Sequence, residues 1–358
     1  MSAAFIFVQS TCFTILFLTC ESLSAQSLPD WLRKHSVAVN ADLLMRSDNV
    51  YGLDARDNIH RARVWARPGF DVSMTRWLHG GARGSFALSS DDNRDNIPRF
   101  DNFHSDDVSL DRLYLAVDKD RWEVIAGKFA MPFQVSEMVW DQDIQPRGIF
   151  ISCRLEPVTF RGAVFHRSHI HHDRSTVAGG QLALRLPLTT NWTVEADAGF
   201  LAFNALDQFQ PGMERQNSVQ LVEGAVRYQS AFELAIGHFR ADYRGSSRWP
   251  LAMDFSFVQN FGAAETQRAI EVAAEVGKIQ NRGDWRLSYS FQKVDRDAVV
   301  GAFTSDDWWF HSDHKGSRIT AAVTVFSHTF LQFGAVFQER QSTSHFVKRF
   351  QFDLGARF

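Results

Sequence analysis

The sequence predicts an all-β fold: a transmembrane antiparallel up-and-down β-barrel of about 16 strands, with 18 as the alternative. Three observations lead to this fold class. Apolar and polar residues alternate with a period of two from residue 36 to the end, which is typical of strands with two different faces. Most alternating segments are about 9 to 12 residues long, enough for a tilted strand to cross a bilayer. After the first 25 residues, no window has the ~20 uninterrupted apolar residues of a membrane helix.

The composition excludes several other classes of protein. The 358 residues are 45% hydrophobic and include 32 Phe and 10 Trp, too much apolar surface for a disordered chain. Lys and Arg number 38 against 41 Asp and Glu, a net charge of -3. No basic block is present that would suit a phosphate backbone, so nucleic acid is not an expected partner.

The N-terminal segment, residues 1–25, predicts a signal peptide. Residues 3–19 are largely apolar, and the small residues at 22–25 suit a signal peptidase, although no Lys or Arg precedes the apolar stretch. A first buried helix and lipidation at Cys20 are the alternatives. We therefore expect residues 26–358 to form the barrel, exported through the periplasm to a bacterial outer membrane. Cys153 is the one cysteine outside residues 1–25, so no internal disulfide is expected.

The strands alternate between tight turns and long loops, as in an outer-membrane barrel. Tight turns should all lie at one end of such a barrel, but two of them, 187–191 and 228–231, break this rule. The rule predicts a missed strand near 148–154 and another near 243–266, or two unusual turns. The sixteen predicted strands are 36–46, 59–75, 82–90, 108–117, 122–130, 157–166, 176–186, 192–202, 218–229, 231–242, 250–260, 267–278, 284–294, 316–326, 329–339 and 346–358.

Tryptophans mark the ends of the predicted strands. Trp77, Trp122, Trp192 and Trp285 all lie beside tight turns, where an aromatic girdle meets the lipid headgroups. Isolated core tryptophans would be the alternative interpretation. Four similar placements favour a barrel in contact with membrane lipid, and with lipopolysaccharide on its outer side.

The last predicted strand alternates strictly and ends on an aromatic residue. Its outward-facing residues are predicted to be Phe350, Phe352, Leu354 and Phe358, a pattern that resembles the signal read by the outer-membrane barrel-insertion machinery. In a soluble protein the same residues would make an aggregation-prone edge strand. We therefore predict that these residues form the membrane-insertion signal.

Three stretches of the chain are similar to a known family. They are 122–133, with Gly-Lys-Phe-Ala-Met-Pro-Phe, 139–148, with Val-Trp-Asp-Gln-Asp-Ile-Gln-Pro-Arg-Gly, and 283–307, which includes Gly-Asp-Trp-Arg-Leu-Ser-Tyr-Ser-Phe. These stretches resemble the bacterial putative porin family, distantly similar to the phosphate-selective porins. The resemblance covers nearly the whole mature chain and implies an outer-membrane barrel that passes solutes. It leaves the solute open.

Charged residues on the inward faces are candidates for lining a pore. Arg61, Arg63 and Arg67 oppose apolar residues on one strand, and Arg83 follows on the next. They must face the lumen, because a basic residue on the lipid face costs about 2–4 kcal/mol at the bilayer midplane. Five acidic residues are predicted to form an opposite wall that sets up a transverse field, or else merely to solvate the interior: Glu195, Asp197, Glu223, Glu271 and Glu275.

The loop 131–156 is a candidate constriction. It follows Lys128, carries Asp141 and Asp143, and has aromatic anchors at Phe133 and Trp140. An ordinary extracellular loop is the alternative. Lys128 could attract anions, but one lysine does not establish phosphate selectivity.

Other reactive residues predict no further site. His166, His169, His171 and His172 crowd one loop, but without partners at ligand spacing they are more typical of a solvated loop than of a metal site. Cys153 is expected to be inert. The sequence therefore predicts no catalytic residue, no metal and no cofactor.

The predicted function is a water-filled channel for passive diffusion of small hydrophilic solutes or ions, because 16 to 18 strands leave an open lumen. One alternative is a lipase-like outer-membrane enzyme, although no Gly-x-Ser-x-Gly motif occurs. The other is a structural or adhesive barrel. Trimers are common in related barrels, so a homotrimer is one assembly that the sequence leaves open, as it does the ion preference.

Overall fold

A computed structural model describes residues 36–53, 58–89, 108–166, 175–206 and 214–358. The predicted signal peptide and three of the four clustered histidines, His169, His171 and His172, lie outside these residues. The described strands are β1 Ser36–Tyr51, β2 Ile59–Ser73, β3 Leu78–Ser89, β4 Val108–Lys119, β5 Trp122–Lys128, β6 Arg147–Leu155, β7 Val158–His166, β8 Thr176–Pro187, β9 Trp192–Asn204, β10 Val219–Val222, β11 Ala225–Tyr228, β12 Phe232–Tyr243, β13 Leu251–Asn260, β14 Arg268–Gly277, β15 Trp285–Val294, β16 His314–Phe326, β17 Thr329–Arg340 and β18 His345–Arg357.

Sixteen of the described strands form one closed antiparallel barrel. Each strand pairs with its neighbour along the chain, except that β9 pairs directly with β12. The first and last strands close the ring through a register that runs from Asp42 opposite Arg357 to Tyr51 opposite Lys348. Closure removes the free sheet edges that would otherwise leave backbone groups unpaired in lipid.

The predicted count of sixteen is confirmed, the alternative of eighteen is wrong, and two assignments change. Residues 147–155 form β6, close to the missed strand expected near 148–154. Residues 218–229 do not join the barrel. They form the separate hairpin β10–β11, which turns at Glu223 and Gly224 with φ of 53° and 79°. Between Tyr243, where β12 ends, and residue 266, the structure contains one barrel strand, β13, which is also among the predicted strands. The second missed strand expected near 243–266 is therefore absent.

With these two changes, every long loop lies at one end of the barrel, together with the short connections 261–267 and 341–344. The other end holds only connections of seven residues or fewer and the two chain ends of the described barrel, and by analogy with other outer-membrane barrels we call it the periplasmic end. Trp249 contacts Trp285 there with ring centroids 4.6 Å apart, and Trp192 contacts Tyr243 at 5.0 Å. The predicted girdle tryptophans therefore belong to one level of the barrel.

The outward face of the barrel is apolar. Phe70, Leu113 and Phe352 are 46%, 54% and 50% exposed, and each alternates with inward-facing polar residues. The predicted insertion-signal residues Phe350, Phe352, Leu354 and Phe358 follow the same outward parity, and the backbone of Phe358 pairs with that of Ala41 on β1. Within the described residues, no helix is long and apolar enough to cross a membrane.

Three long connections at the opposite end fold into the lumen. They are loop A, residues 129–146, loop B, residues 214–231 with the β10–β11 hairpin, and loop C, residues 295–313. The Asn217 side chain fastens loop B to loop C by donating to the carbonyl oxygen of Val299 at 2.8 Å and accepting from the amide of Gly301 at 2.8 Å.

The loops and one side of the barrel share a hydrophobic core. Trp140 of loop A lies against Phe303 of loop C, with ring centroids 4.8 Å apart, and against Phe165 of β7 at 6.1 Å. Leu201 and Leu234, which point inward from β9 and β12, are buried in the same cluster. At the level of the loops this side of the lumen is therefore filled with apolar side chains, and the charged cluster of β1, β2 and β18 lies on the opposite side.

Candidate functional site

The arginine ladder predicted on β2 points into the lumen. Arg61 is buried, and Arg63 and Arg67 are each partly buried on the same face. Trp65 shares this face because it has the same parity, and the guanidinium carbons of Arg46 and Arg63 lie 5.7 and 5.8 Å from its ring centroid. The tryptophan thus forms an aromatic surface between two cations.

Asp48 of β1 is the acidic centre of this ladder. Its carboxylate is fully buried and accepts hydrogen bonds from Arg349 of β18 at 2.8 Å on both oxygens. Arg61 donates to the same carboxylate at 2.7 Å, and Arg63 lies 3.6 Å away. Three arginines from two strands therefore share one carboxylate, so this cluster by itself is positively charged.

Loop C contributes two carboxylates, those of Asp306 and Asp307, to this cluster of arginines. Asp307 accepts from Arg46 at 2.6 Å and lies 3.5 Å from Arg318, and Asp306 lies 3.7 Å from Arg63. Burial opposes ionisation of Asp307, but the positive charges of Arg46, Arg318 and Arg349 outweigh it and hold the pKa of this carboxyl well below its ordinary value. Asp307 therefore stays ionised and holds loop C against the barrel wall.

Loop A crosses the lumen and touches the wall at several places. Asp143 pairs with Arg67 of β2 at 2.6 Å. Glu137 pairs with Arg318 of β16 at 2.6 Å. The amide of Gln134 donates to the side chain of Gln181 on β8 at 3.0 Å. Because β2, β8 and β16 are far apart around the ring, loop A spans the interior. The alternative interpretation, an ordinary extracellular loop, is wrong for 131–146, and the C-terminal part of the predicted 131–156 segment is β6.

Loops A and C are also fastened to each other. The amide of Asp141 donates to the carbonyl oxygen of Phe303 at 2.7 Å, and the amide of Ser305 donates to the carbonyl oxygen of Glu137 at 2.9 Å. The Trp308 indole N–H donates to the Glu137 carboxylate at 2.8 Å. The two loops therefore act as one body. We use the name inner constriction for this body and the charged part of the barrel wall that it contacts.

A β-bulge on β4 places two neighbouring charges in the lumen. The pairing with β3 shifts between Arg83 and Gly84, so Asp111 has no partner in the ladder. As a result Asp111 and Arg112 both point inward while the flanking Leu110 and Leu113 face lipid. Asp111 accepts from Arg83, and Arg112 donates to Gln145 of loop A at 2.9 Å.

The charges of the inner constriction are balanced. Among the described residues, eight arginines and eight carboxylates lie where loops A and C meet the wall of β1 to β4, β16 and β18, and most are paired within 4.0 Å; this count leaves out Glu271 and the charged residues inside the two loops, such as Asp141 and Asp313. The cations are Arg46, Arg61, Arg63, Arg67, Arg83, Arg112, Arg318 and Arg349, and the anions are Asp42, Asp48, Asp111, Glu137, Asp143, Asp306, Asp307 and Asp353.

The remaining predicted residues of this region lie around the inner constriction. The Lys128 ammonium donates to the carbonyl oxygen of Leu110 at 2.6 Å and is buried at the base of loop A. Asp141 is buried inside loop A, where it accepts from the amide of Asp143 at 2.9 Å. Glu271 is buried on β14 and accepts from Gln292 at 3.0 Å. These residues support the loops rather than lining open space.

The predicted acidic wall is not purely acidic. Asp197 on β9 lies 3.4 Å from both Arg161 and His238. Glu195 pairs with Arg185 at 3.1 Å. Glu275 lies 3.5 Å from Arg286 on the next strand. Each acid is matched by a basic neighbour. Glu223 does not belong to the wall, because it is exposed in the turn of the β10–β11 hairpin.

Sequence reasoning missed the partners that balance the arginine ladder. Asp48 and Arg46 on β1, and Arg349 and Asp353 on β18, occupy inward positions of their strands, although Asp48 is flanked by the polar residues Ser47 and Asn49. The same parity that identified Arg61 could have identified them. Glu137, Asp306 and Asp307 lie on loops without periodicity, and no local signal assigns them to the lumen. Among the described residues, no cluster of His, Cys, Asp and Glu could hold a metal ion.

Comparison with known proteins gives one family and a set of similar folds. The model of a family described as putative porin matches residues 39–168 and 229–358, more than half of the chain. OprB of Pseudomonas putida has a similar structure at a TM-score of 0.64 and 9% sequence identity, covering 90% of this chain and 94% of that one.

Two further solved structures are similar over the same share of this chain. OmpF of Salmonella typhi, in complex with daunomycin, matches at a TM-score of 0.54 and 11% identity, with 90% and 97% of the two chains covered. OmpT of Vibrio cholerae, in its trimer form, matches at 0.53 and 10% identity, with 90% and 99% covered. At these identities the likeness concerns the fold. No curated protein sequence matches this chain.

Proposed function

This chain belongs to the putative porin family, and we propose that its channel sorts solutes mainly by size and hydrogen bonding and only weakly by net charge. The family and the fold make it an outer-membrane channel for solute diffusion. The balance of eight arginines and eight carboxylates where loops A and C meet the barrel wall, among the described residues, is the observation that carries the proposal. Ion selectivity follows the net charge that lines a pore.

The geometry explains how a polar solute would pass. Loops A and C narrow the lumen, and their charged side chains face the arginines of β1, β2 and β18. A hydrated solute that enters this region exchanges water for alternating donors and acceptors, and neither sign of charge dominates. Such sites favour passage when binding is weak enough for the solute to leave. Neutral, hydrogen-bonding molecules of small size are therefore the proposed solutes.

The role as a channel is proposed without catalytic turnover. Two imidazole groups of the interior already have structural partners: His311 with Thr304 at 2.9 Å, and His238 with Asp197 at 3.4 Å. A lipase-like activity would require a nucleophile and base at the barrel rim. Purified barrel incubated with phospholipid should release no fatty acid.

A homotrimer is the proposed assembly. Its support is that OmpT of Vibrio cholerae, a barrel of similar fold, has been solved in a trimer form. The mass of the detergent-solubilised, folded protein, measured by light scattering, tests this proposal. A monomer at all protein concentrations would contradict it without affecting the proposed channel.

The experiment that tests the channel proposal is planar-bilayer recording under a salt gradient, combined with swelling of liposomes that contain the refolded barrel. We expect discrete conductance steps, a reversal potential close to zero and swelling rates that fall with sugar size. A reversal potential near that of an ideal anion or cation channel would contradict weak charge selectivity. A folded barrel without conductance would contradict the channel itself.

A further inference from the structure

An apolar groove with a volume of 510 Å³ runs along the outer wall of the barrel across β2 to β5. Its sides are formed by Phe70, Leu113 and Leu115, and its floor by Gly80, Ala82 and Ala126. Gly80 is required there, because an added Cβ would lie 2.7 Å from the carbonyl oxygen of Tyr114. The backbone at this position leaves no room for a side chain, so the depth of the groove does not depend on side-chain rotamers.

The groove lies in the periplasmic half of the barrel. Phe70 precedes the tight turn between β2 and β3, and Leu115 precedes the turn between β4 and β5. Two girdle tryptophans, Trp77 and Trp122, are 46% and 48% exposed at these turns. Because such tryptophans lie at the level of the headgroups, the groove faces the acyl chains of the inner leaflet.

Three cations lie directly below the groove. Arg76 is in the first turn, Arg121 is in the second, and Lys119 is the last residue of β4, beside the second turn. The two turns adjoin, since the amide of Asp118 donates to the carbonyl oxygen of Trp77 at 2.9 Å. Lys119 is opposite Trp122 in the ladder, and cross-strand partners share a face, so its side chain emerges on the lipid side.

Few acidic groups lie near these three cations. Within the described residues, none of the three has a carboxylate within salt-bridge distance. The carboxylate of Asp118 is occupied by Arg154 at 2.8 and 2.9 Å. Asp120 is the one remaining acidic group in the turn, so three positive charges face one negative charge beside the groove.

We propose that this groove binds a phospholipid of the inner leaflet with an anionic headgroup. One acyl chain lies in the groove, and the headgroup phosphate lies against Arg76, Lys119 and Arg121. Lipid tails are as apolar as the groove, so the groove contributes shape complementarity while the three cations supply most of the affinity. This proposal does not depend on the solute that the channel passes.

Native mass spectrometry of the detergent-purified barrel with added phosphatidylglycerol tests the proposal. We expect the wild type to retain one lipid molecule. The variant Arg76→Gln/Lys119→Gln/Arg121→Gln should bind it roughly a hundredfold more weakly, since each basic residue near an anionic surface contributes about fivefold. Phosphatidylcholine should be retained less than phosphatidylglycerol by the wild type.

A groove-filling variant tests the acyl-chain part. Ala82→Leu/Ala126→Leu keeps the face apolar and should reduce lipid retention, whereas Ala321→Leu, on the outward face of β16, should not. Arg244→Gln/Arg248→Gln/Arg282→Gln removes three charges from other periplasmic turns and is the matched headgroup control. Heat-modifiable migration on gels confirms that each variant is folded, and only folded variants are compared.

Two outcomes would overturn the proposal. If the wild type, Arg76→Gln/Lys119→Gln/Arg121→Gln and Ala82→Leu/Ala126→Leu all retained phosphatidylglycerol equally, the groove would not be a lipid site. Efficient disulfide crosslinking between protomers through Leu115→Cys, in a Cys153→Ser background, would show that a second copy of the chain covers the groove instead of a lipid.

Discussion

Arg349 of β18 clasps Asp48 of β1 through two hydrogen bonds of 2.8 Å, one from Nε and one from Nη2. The two residues are 301 positions apart in the sequence, and they join the first and last strands of the barrel from the inside. Arg61 donates to the same carboxylate. The seam of the barrel is therefore closed by a buried ion cluster in addition to its backbone ladder.

Replacing Asp48 should destabilise the barrel strongly. Asp48→Asn leaves Arg61 and Arg349 buried without their shared carboxylate, and breaking a buried pair in this way costs about 3–5 kcal/mol. Urea titration of the barrel in detergent or lipid, followed by tryptophan fluorescence, measures the change in unfolding free energy. Asp118→Asn, which breaks an exposed pair with Arg154, is the control and should cost less than about 1 kcal/mol. Equal effects of the two substitutions would show that the buried cluster does not stabilise the seam.

Removing the arginine ladder should make the channel prefer cations. Arg61→Ala, Arg63→Ala and Arg67→Ala together take three positive charges from a balanced constriction and leave an excess of carboxylates. The reversal potential in a salt gradient should then shift towards the cation potential. Arg76→Gln/Lys119→Gln/Arg121→Gln changes the net charge equally outside the lumen and should leave the potential unchanged. If the ladder variant also keeps the wild-type potential, the ladder does not govern selectivity.

Weakening the tie between loop C and the wall should widen the channel. Asp307→Asn removes the ionic contacts with Arg46 and Arg318, so loop C should move more freely and single-channel conductance and current noise should both rise. Single-channel recording measures both quantities. Glu265→Gln, in a short exposed loop outside the lumen, is the control. Unchanged conductance in Asp307→Asn would mean that the hydrophobic contacts of the loops hold the constriction alone.

Mild acid should not release loop C. The pKa of Asp307 is lowered in the folded protein, so its ionic contribution is fully present above the unfolded pKa of about 3.9 and is lost only as pH falls through the lower folded value. We therefore expect wild-type conductance to stay constant from about pH 7 to about pH 5, a range above the ordinary aspartate pKa. A stepwise increase within this range would indicate a different titrating group at the constriction.

The terminal phenylalanine should matter more for assembly in cells than for the folded barrel. Phe358 is exposed on the lipid side, and its backbone pairs with Ala41. Phe358→Ser should lower the amount of protein in the outer membrane, as measured by membrane fractionation, while refolding into lipid vesicles proceeds as in the wild type. Phe333→Ser removes an equally exposed aromatic from the outward face of β17 and is the control. Equal loss of membrane protein in both variants would argue against an insertion signal at the chain end.

The failure to assign β6 from periodicity has a physical reason. Ile149 and Ile151 face lipid, but Phe150 between them points inward and is buried in the core formed by the loops. Both faces of this strand are therefore apolar, and the alternation disappears. The opposite error occurred at 218–229, because a short hairpin with one face packed on the loop core, through Val219 and Tyr228, alternates as well as a membrane strand does. Local periodicity reports on two unlike faces, and says nothing about which sheet a strand joins.

The sequence by itself determined the closed barrel, fifteen of its sixteen strands, the lipid-facing side chains and the inward parity of the arginines, because lipid and water impose a residue-by-residue alternation. Only the tertiary structure decided which charges meet. Asp48 and Arg349 come together through closure of the ring, and Glu137 and Asp307 reach the lumen on loops whose path depends on a buried core around Trp140. Contacts between residues far apart in sequence leave no local pattern, so the balance of charge in the constriction became visible only when the chain was folded.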